Sequence, residues 1–230
     1  MESIFRRQEV KFVITDAQRG QIYDFVAGRI PPDVFGKYLV QSLYFDTEHW
    51  DVIRASIDKP VFKEKLRLRC YGVPDMGDTM YLELKKKLRG VVHKRRIAFP
   101  MGELAGRAVR DIAAADSSQV GRELHFYLQA MPVCEKAHIS YHRTAFEDGT
   151  GLRVTFDTDI RFRTNMLDYA HPEGGLEVLP PGLSVMEIKT LGGMPLWLAQ
   201  ALSGFGIYPG TYSKYGAGYK KYILLKGDGK

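Results

Sequence analysis

Charged residues recur at every second position in several stretches of this chain. In KEKLRLRCYG, residues 63–72, Lys63, Lys65, Arg67 and Arg69 alternate with a set that includes Leu66, Leu68 and Cys70. Successive side chains of a strand point to opposite faces, so the stretch reads as a ribbon with cations on one side and apolar groups on the other. Six further stretches put polar groups on one face in the same way: Glu9 with Lys11, Glu83 with Lys85, Lys94 with Arg96, Glu187 with Lys189, Tyr141 with Arg143, and Arg153 with Thr155 and Asp157. A merely solvated sheet face carries more Thr, Ser and Gln, with the two charge signs mixed at random. These faces are instead biased to Lys and Arg, with one Glu on each of three strands.

The chemistry such faces can do is the holding of phosphates. Arg offers a planar donor fork and Lys a point charge, and both suit phosphate oxygens. A carboxylate among cations repels phosphate unless it pairs with Lys or Arg, or holds a divalent metal that phosphate also binds. If about eight strands close into a barrel with helices packed outside, the apolar faces meet the helices and the charged faces line a lumen. Unpaired ions cannot stay dry, so that lumen is hydrated or filled by an anionic ligand.

The elements that would carry these faces follow from local pattern. RRQEVKFVIT reads as a first strand, with Val10, Phe12 and Ile14 on one side. Thr15 and Gln18 have capping-box spacing, opening a helix from Asp16 to about Ile30 that IPPD ends. YLVQSLYFDT is a second strand, followed by a short helix or turn over 48–54. MYLELKKKLRGVVHKRRIAF is a hairpin turning at Arg89-Gly90. Residues 102–130 are helical in two pieces, and strands resume with CEKAHISYHRTAFE and GLRVTFDTDIRF. A Pro- and Gly-rich loop, HPEGGLEVLPPG, precedes the strand LSVMEIKT; PLWLAQALSGF closes as a helix before a Gly/Tyr-rich tail. With no repeat or dividing linker, the expectation is one α+β domain over 1–230.

The 230 residues carry 45% hydrophobic and 26% charged side chains, an ordinary globular balance, with a net charge of +6 that favours an anionic partner. Cys70 and Cys134 are isolated, which argues against a disulfide framework or a structural zinc site and makes both expected buried thiols. His93 and His142 have no partner at metal spacing. No apolar stretch has the length of a signal peptide or membrane span, so the expected location is the cytoplasm.

In their order, RQEVKF, SLYFDT, KLRLRCYG, LELKKK, KRRIAF, YHRTAFE, LRVTFDTDI, VMEIKT and YSKY resemble the triphosphate tunnel metalloenzymes over nearly the whole chain, and within them the polyphosphate-polymerase, VTC-type branch. The resemblance implies an eight-stranded antiparallel β-barrel tunnel with helices outside, binding a triphosphate or polyphosphate with Mn2+ or Mg2+. It gives the catalytic phosphate-holding role to Lys11, Arg67, Arg69, Lys85, Lys94, Arg143, Arg153 and Lys214. Tyr141, Ser213, Arg96 and Lys189 are the further substrate-binding positions. Glu187 matches the metal-binding Glu; Glu9 and Glu83 follow as metal ligands or salt-bridge partners. Hydrolases and cyclases of the superfamily open with Glu-x-Glu-x-Lys, whereas this chain has Arg7, Glu9 and Lys11, as in the polymerase branch.

The function so implied is transfer of the γ-phosphate of ATP to a growing polyphosphate chain. A tripolyphosphatase or nucleoside triphosphatase of the same superfamily and a non-catalytic polyphosphate-binding module are the alternatives. Nucleic acid is not an expected partner, because the interspersed Glu residues repel a backbone without reading bases. A separate membrane partner, and a position at the inner face of the membrane, are left open.

Overall fold

The computed structural model describes residues 7–58, 60–89 and 91–225; the side chain of Arg7 and the whole of Gly90, at the expected hairpin turn, lie outside that description. The strands are β1 (Arg7–Thr15), β2 (Pro32–Asp46), β3 (Phe62–Tyr71), β4 (Thr79–Leu88), β5 (Val91–Pro100), β6 (Cys134–Glu147), β7 (Arg153–Arg163), β8 (Leu176–Glu177) and β9 (Leu183–Leu191). The helices are α1 (Asp16–Ala27), α2 (Asp51–Ile57), α3 (Val109–Ala115), α4 (Gln119–Ala130), α5 (Leu196–Gly204) and α6 (Lys214–Tyr219). Eight strands run in the order β1-β9-β7-β6-β2-β3-β4-β5, and the two-residue β8 pairs with β7. The α+β class and the eight-stranded antiparallel sheet that the resemblance implies are therefore observed.

The chain forms two compact units. The first takes the described residues of Met1–Leu39, Tyr141–Ile160 and Glu177–Ser213; the second takes those of Val40–Ser140, Arg161–Leu176 and Lys214–Lys230. Each has its own core. In the first, Phe12, Ile14, Val154, Phe156, Met186 and Ile188 pack beneath Ile22 and Val26 of α1 and Leu198 and Leu202 of α5. In the second, Leu43, Leu66, Leu68, Leu82, Leu84 and Ile97 pack beneath Ile112 of α3 and Leu124 and Tyr127 of α4. The apolar half of each alternating strand thus faces helices, which leaves the charged half on the opposite side of the sheet.

Helix starts follow their caps. Thr15 accepts from Gln18 N at 3.2 Å and the Gln18 side chain returns to Thr15 N at 3.1 Å, completing the capping box. Ser118 caps α4 by accepting from Gly121 N at 3.0 Å. No helix among the described residues is long and apolar enough to cross a membrane.

Two expectations need correction. Cys134 is exposed, because it is the first residue of β6 and precedes the buried run from Ala137; Cys70 is buried as expected. The Gly/Tyr-rich tail contains α6 and a π-helical turn over Lys220–Leu224. Local propensity opposes a helix containing Gly216 and Gly218, and packing overrides it. A Cβ on Gly218 would meet the Phe162 ring at 2.3 Å, so only glycine allows this close approach. Tyr215 donates to Asp46 Oδ2 at 2.8 Å, and the same carboxylate accepts from Val52 N and Ile53 N at 2.8 and 2.9 Å, tying α6 to the start of α2.

Two charged clusters as the candidate site

In the second unit the antiparallel register builds rows of side chains across the polar face. Tyr44, Arg67, Glu83 and Arg96 stand opposite one another on β2, β3, β4 and β5. Lys65, Lys85 and Lys94 form the next row, and Ser42, Arg69 and Tyr81 another. Arg67 holds Glu83 Oε2 through Nε at 2.8 Å and through its terminal nitrogen at 2.7 Å. Lys94 pairs with Glu83 Oε1, Arg96 lies 3.9 Å from that oxygen, and Arg69 lies 4.0 Å from Oε2. Arg69 also donates to Ser42 Oγ at 3.1 Å, and the Arg96 guanidinium sits 4.5 Å above the Tyr81 ring.

Four cations therefore converge on one carboxylate. Burial alone would raise the Glu83 carboxyl, but the charges of Arg67 and Arg69 and the hydrogen bond from Lys94 outweigh it and hold the group at about 2. The same excess reaches Tyr44, which lies at hydrogen-bond distance, 3.2 Å, from Arg67. Burial would raise its phenol; the cations Arg67, Arg69 and Lys65 instead draw it down to about 8. The guanidinium and ammonium groups gathered around Glu83 are the donors that phosphate oxygens take.

The first unit is balanced differently. Its rows are Glu9–Lys189–Arg153 and Lys11–Glu187–Thr155 across β1, β9 and β7. Lys11 Nζ lies 3.3 Å from Glu9 Oε1 and 3.2 Å from Glu187 Oε1, and Lys189 Nζ lies 3.9 Å from Glu9 Oε2. Arg143 donates two bonds to the buried Asp157, at 2.6 and 2.7 Å, and approaches Glu187 Oε2 at 3.8 Å. Its guanidinium lies 5.3 Å from the centre of the Tyr141 ring. Arg153 pairs with Glu147 and with Asp33 Oδ2, the latter at 2.7 Å, and lies 3.3 Å from Tyr38 Oη. A backbone bond from Gly210 N to Lys11 O, 2.7 Å, holds the segment leading to Ser213 against β1.

These contacts bear on a divalent cation. Glu9 and Glu187 already converge on one positive centre, the Lys11 ammonium. Thr155, in register with Glu187, has a buried hydroxyl with no hydrogen-bond partner among the described residues. Two carboxylates and a hydroxyl are hard oxygen donors of the kind that Mg2+ or Mn2+ take together with phosphate. Among the described residues no group of three His, Cys, Asp or Glu side chains is placed to hold a metal, so an ion taken here would need phosphate or water to complete its ligands. Glu83 makes the salt bridges that were one of its two expected roles.

Of the expected residues, Arg67, Arg69, Lys94, Arg96 and Glu83 share the second unit's cluster, with Lys85 in the adjoining row and Lys214 opening α6. Lys11, Glu9, Glu187, Lys189, Arg143, Arg153 and Tyr141 lie in the first unit, which Ser213 ends. The sequence reading passed over Tyr44, although it alternates with Ser42 and Asp46 on the polar face of β2. It also passed over the partners of Arg153, which come from the distant segments at Asp33 and Glu147.

The family model described as VTC domain matches residues 6–223. No curated protein matches the chain. Among solved structures, an adenylate cyclase candidate of Bacillus halodurans is similar at 13% identity and a TM-score of 0.56, with 94% of this chain and 98% of that one covered. A protein of Pyrococcus horikoshii OT3 is similar at 16% identity and a TM-score of 0.50, with 95% and 99% covered. At these identities the likeness is one of fold.

Proposed function

The chain belongs to the VTC domain family, and from that premise we propose that it is a metal-dependent polyphosphate polymerase that uses ATP as phosphoryl donor. The observation that carries the reading is the convergence of Arg67, Arg69, Lys94 and Arg96 on the Glu83 carboxylate across three neighbouring strands. Phosphoryl transfer asks little covalent chemistry of a protein; positioning and charge stabilisation dominate. Arg67, Arg69, Lys94 and Arg96, with Lys85 beside them, hold the phosphate chain and reduce the repulsion between two anionic reactants. In the first unit, taken by itself, Glu9 and Glu187 with the Thr155 hydroxyl would hold Mn2+ or Mg2+, which when bound would offset charge on phosphate oxygens held by that unit. Lys11, which stands between the two carboxylates, would offer its ammonium to phosphate in that unit, alongside Lys189 and Arg153. Arg143 stays on Asp157 and fixes the position of Glu187.

In the reaction an oxygen of the acceptor's terminal phosphate forms a bond to the γ-phosphorus of ATP. The bond from that phosphorus to the β,γ-bridging oxygen breaks, and ADP leaves with the electron pair. The attacking oxygen is already an anion, so no general base is needed. The test is to incubate the purified chain with ATP and Mn2+ and resolve the products. Polyphosphate and ADP are expected. ADP with free phosphate and no polymer would identify a triphosphatase, and tight binding without turnover a phosphate-binding module; either result overturns the proposal.

A further inference from the structure

The β3–β4–β5 ribbon outruns the helices that cover its middle. Leu66, Leu84 and Ile97 lie in the second unit's core, and Arg95 still reaches Glu123 of α4 at 2.7 Å. Beyond them, on the same face, Phe62, Leu88 and Val91 stand in one row across the three strands, and are 48%, 47% and 44% exposed. Val61, just before β3, is 63% exposed, and Val92, in register with Lys87 on the opposite face, is 47% exposed. A single exposed apolar side chain means little, but a row of three across adjacent strands marks a contact surface.

Cations surround this row. Residues 61–64, 86–89 and 91–93 hold Lys63, Lys86, Lys87 and Arg89 and a single carboxylate, Glu64, which Lys86 engages at 3.1 Å. Lys63 stands opposite Lys87, a like-charge pair that becomes favourable when an anion lies against it.

We propose that this ribbon tip is a docking surface for an anionic lipid bilayer. Phe62, Leu88 and Val91 enter the boundary between headgroups and acyl chains, and Lys63, Lys86, Lys87 and Arg89 reach the lipid phosphates. Charge complementarity with the apolar row selects this occupant: a soluble polyanion meets the cations but leaves the apolar row in water. An anionic bilayer offers both chemistries at adjacent depths. The inference does not depend on the phosphoryl-transfer reading, since it concerns the rows beyond the Glu83 cluster.

The test is co-sedimentation of the full chain with vesicles of phosphatidylcholine, alone or mixed with phosphatidylglycerol. Binding is expected only to the mixed vesicles and is weakened by salt. The double variant Phe62→Ser/Leu88→Ser should bind about tenfold less tightly or worse, and Lys87→Ser/Arg89→Ser likewise. Both should keep the parent's thermal midpoint and its affinity for tripolyphosphate. Failure to bind mixed vesicles, equal binding to neutral ones, or undiminished binding by Phe62→Ser/Leu88→Ser would overturn the proposal. The charge variant gives an independent second reading, and its undiminished binding would do the same.

Discussion

Arg67 grips one oxygen of Glu83 with two nitrogens, at 2.8 and 2.7 Å, while Lys94 occupies the other oxygen. The buried carboxylate organises the cations around it. Glu83→Gln removes the only negative charge in that row. It should cost about 3 kcal/mol of stability, the order found when one partner of a buried pair is lost. Added tripolyphosphate should restore more of the melting temperature in this variant than in the parent, because the ligand supplies the missing charge. Thermal unfolding with and without the ligand measures both effects.

Acid should act through the same group. The folded Glu83 sits at about 2 against an ordinary value of 4.5, so its contribution to stability is complete above about pH 4.5 and is lost as the pH falls toward 2. Urea unfolding across that window should show stability falling with pH, less steeply in Glu83→Gln.

Tyr44 offers a spectroscopic report on the cations. Its phenol is drawn to about 8, so a tyrosinate absorbance step near that pH should be present in the parent and missing in Tyr44→Phe. Tripolyphosphate bound against Arg67 and Arg69 would offset the charges that lower it, and the step should then move upward.

Thr155 separates a metal role from a packing role. With its hydroxyl buried and unpartnered among the described residues, Thr155→Val should stabilise the metal-free chain by about 1 kcal/mol. The same change should weaken Mn2+ binding measured by calorimetry if the hydroxyl is a ligand; unchanged affinity would remove Thr155 from the metal set.

Much of this was legible in the sequence because a strand's period of two is rigid. Once Lys65, Arg67 and Arg69 fall on one face, their neighbours Leu66, Leu68 and Cys70 must face the helices, and the core does contain them. Pairing between strands is not written in that period. That Glu83 would collect Arg67, Lys94 and Arg96, and that Glu9 and Glu187 would share Lys11, depends on register fixed by distant contacts. The helix α6 was illegible for a related reason: its glycines oppose a helix locally, and only the Phe162 ring explains Gly218. Gly218→Ala should accordingly cost about 1–3 kcal/mol, as overpacking does, with little effect on ligand affinity; urea unfolding and calorimetry check the two parts.

The central claim is that the cations around Glu83 grip a chain of phosphates. Calorimetric titration of the full chain with tripolyphosphate tests it most directly, using Arg67→Ala and Lys85→Ala beside the parent. The expected result is saturable, salt-sensitive binding that weakens about tenfold or more in each variant while both stay folded. Parent-like affinity in folded Arg67→Ala, or no binding by the parent, would contradict it.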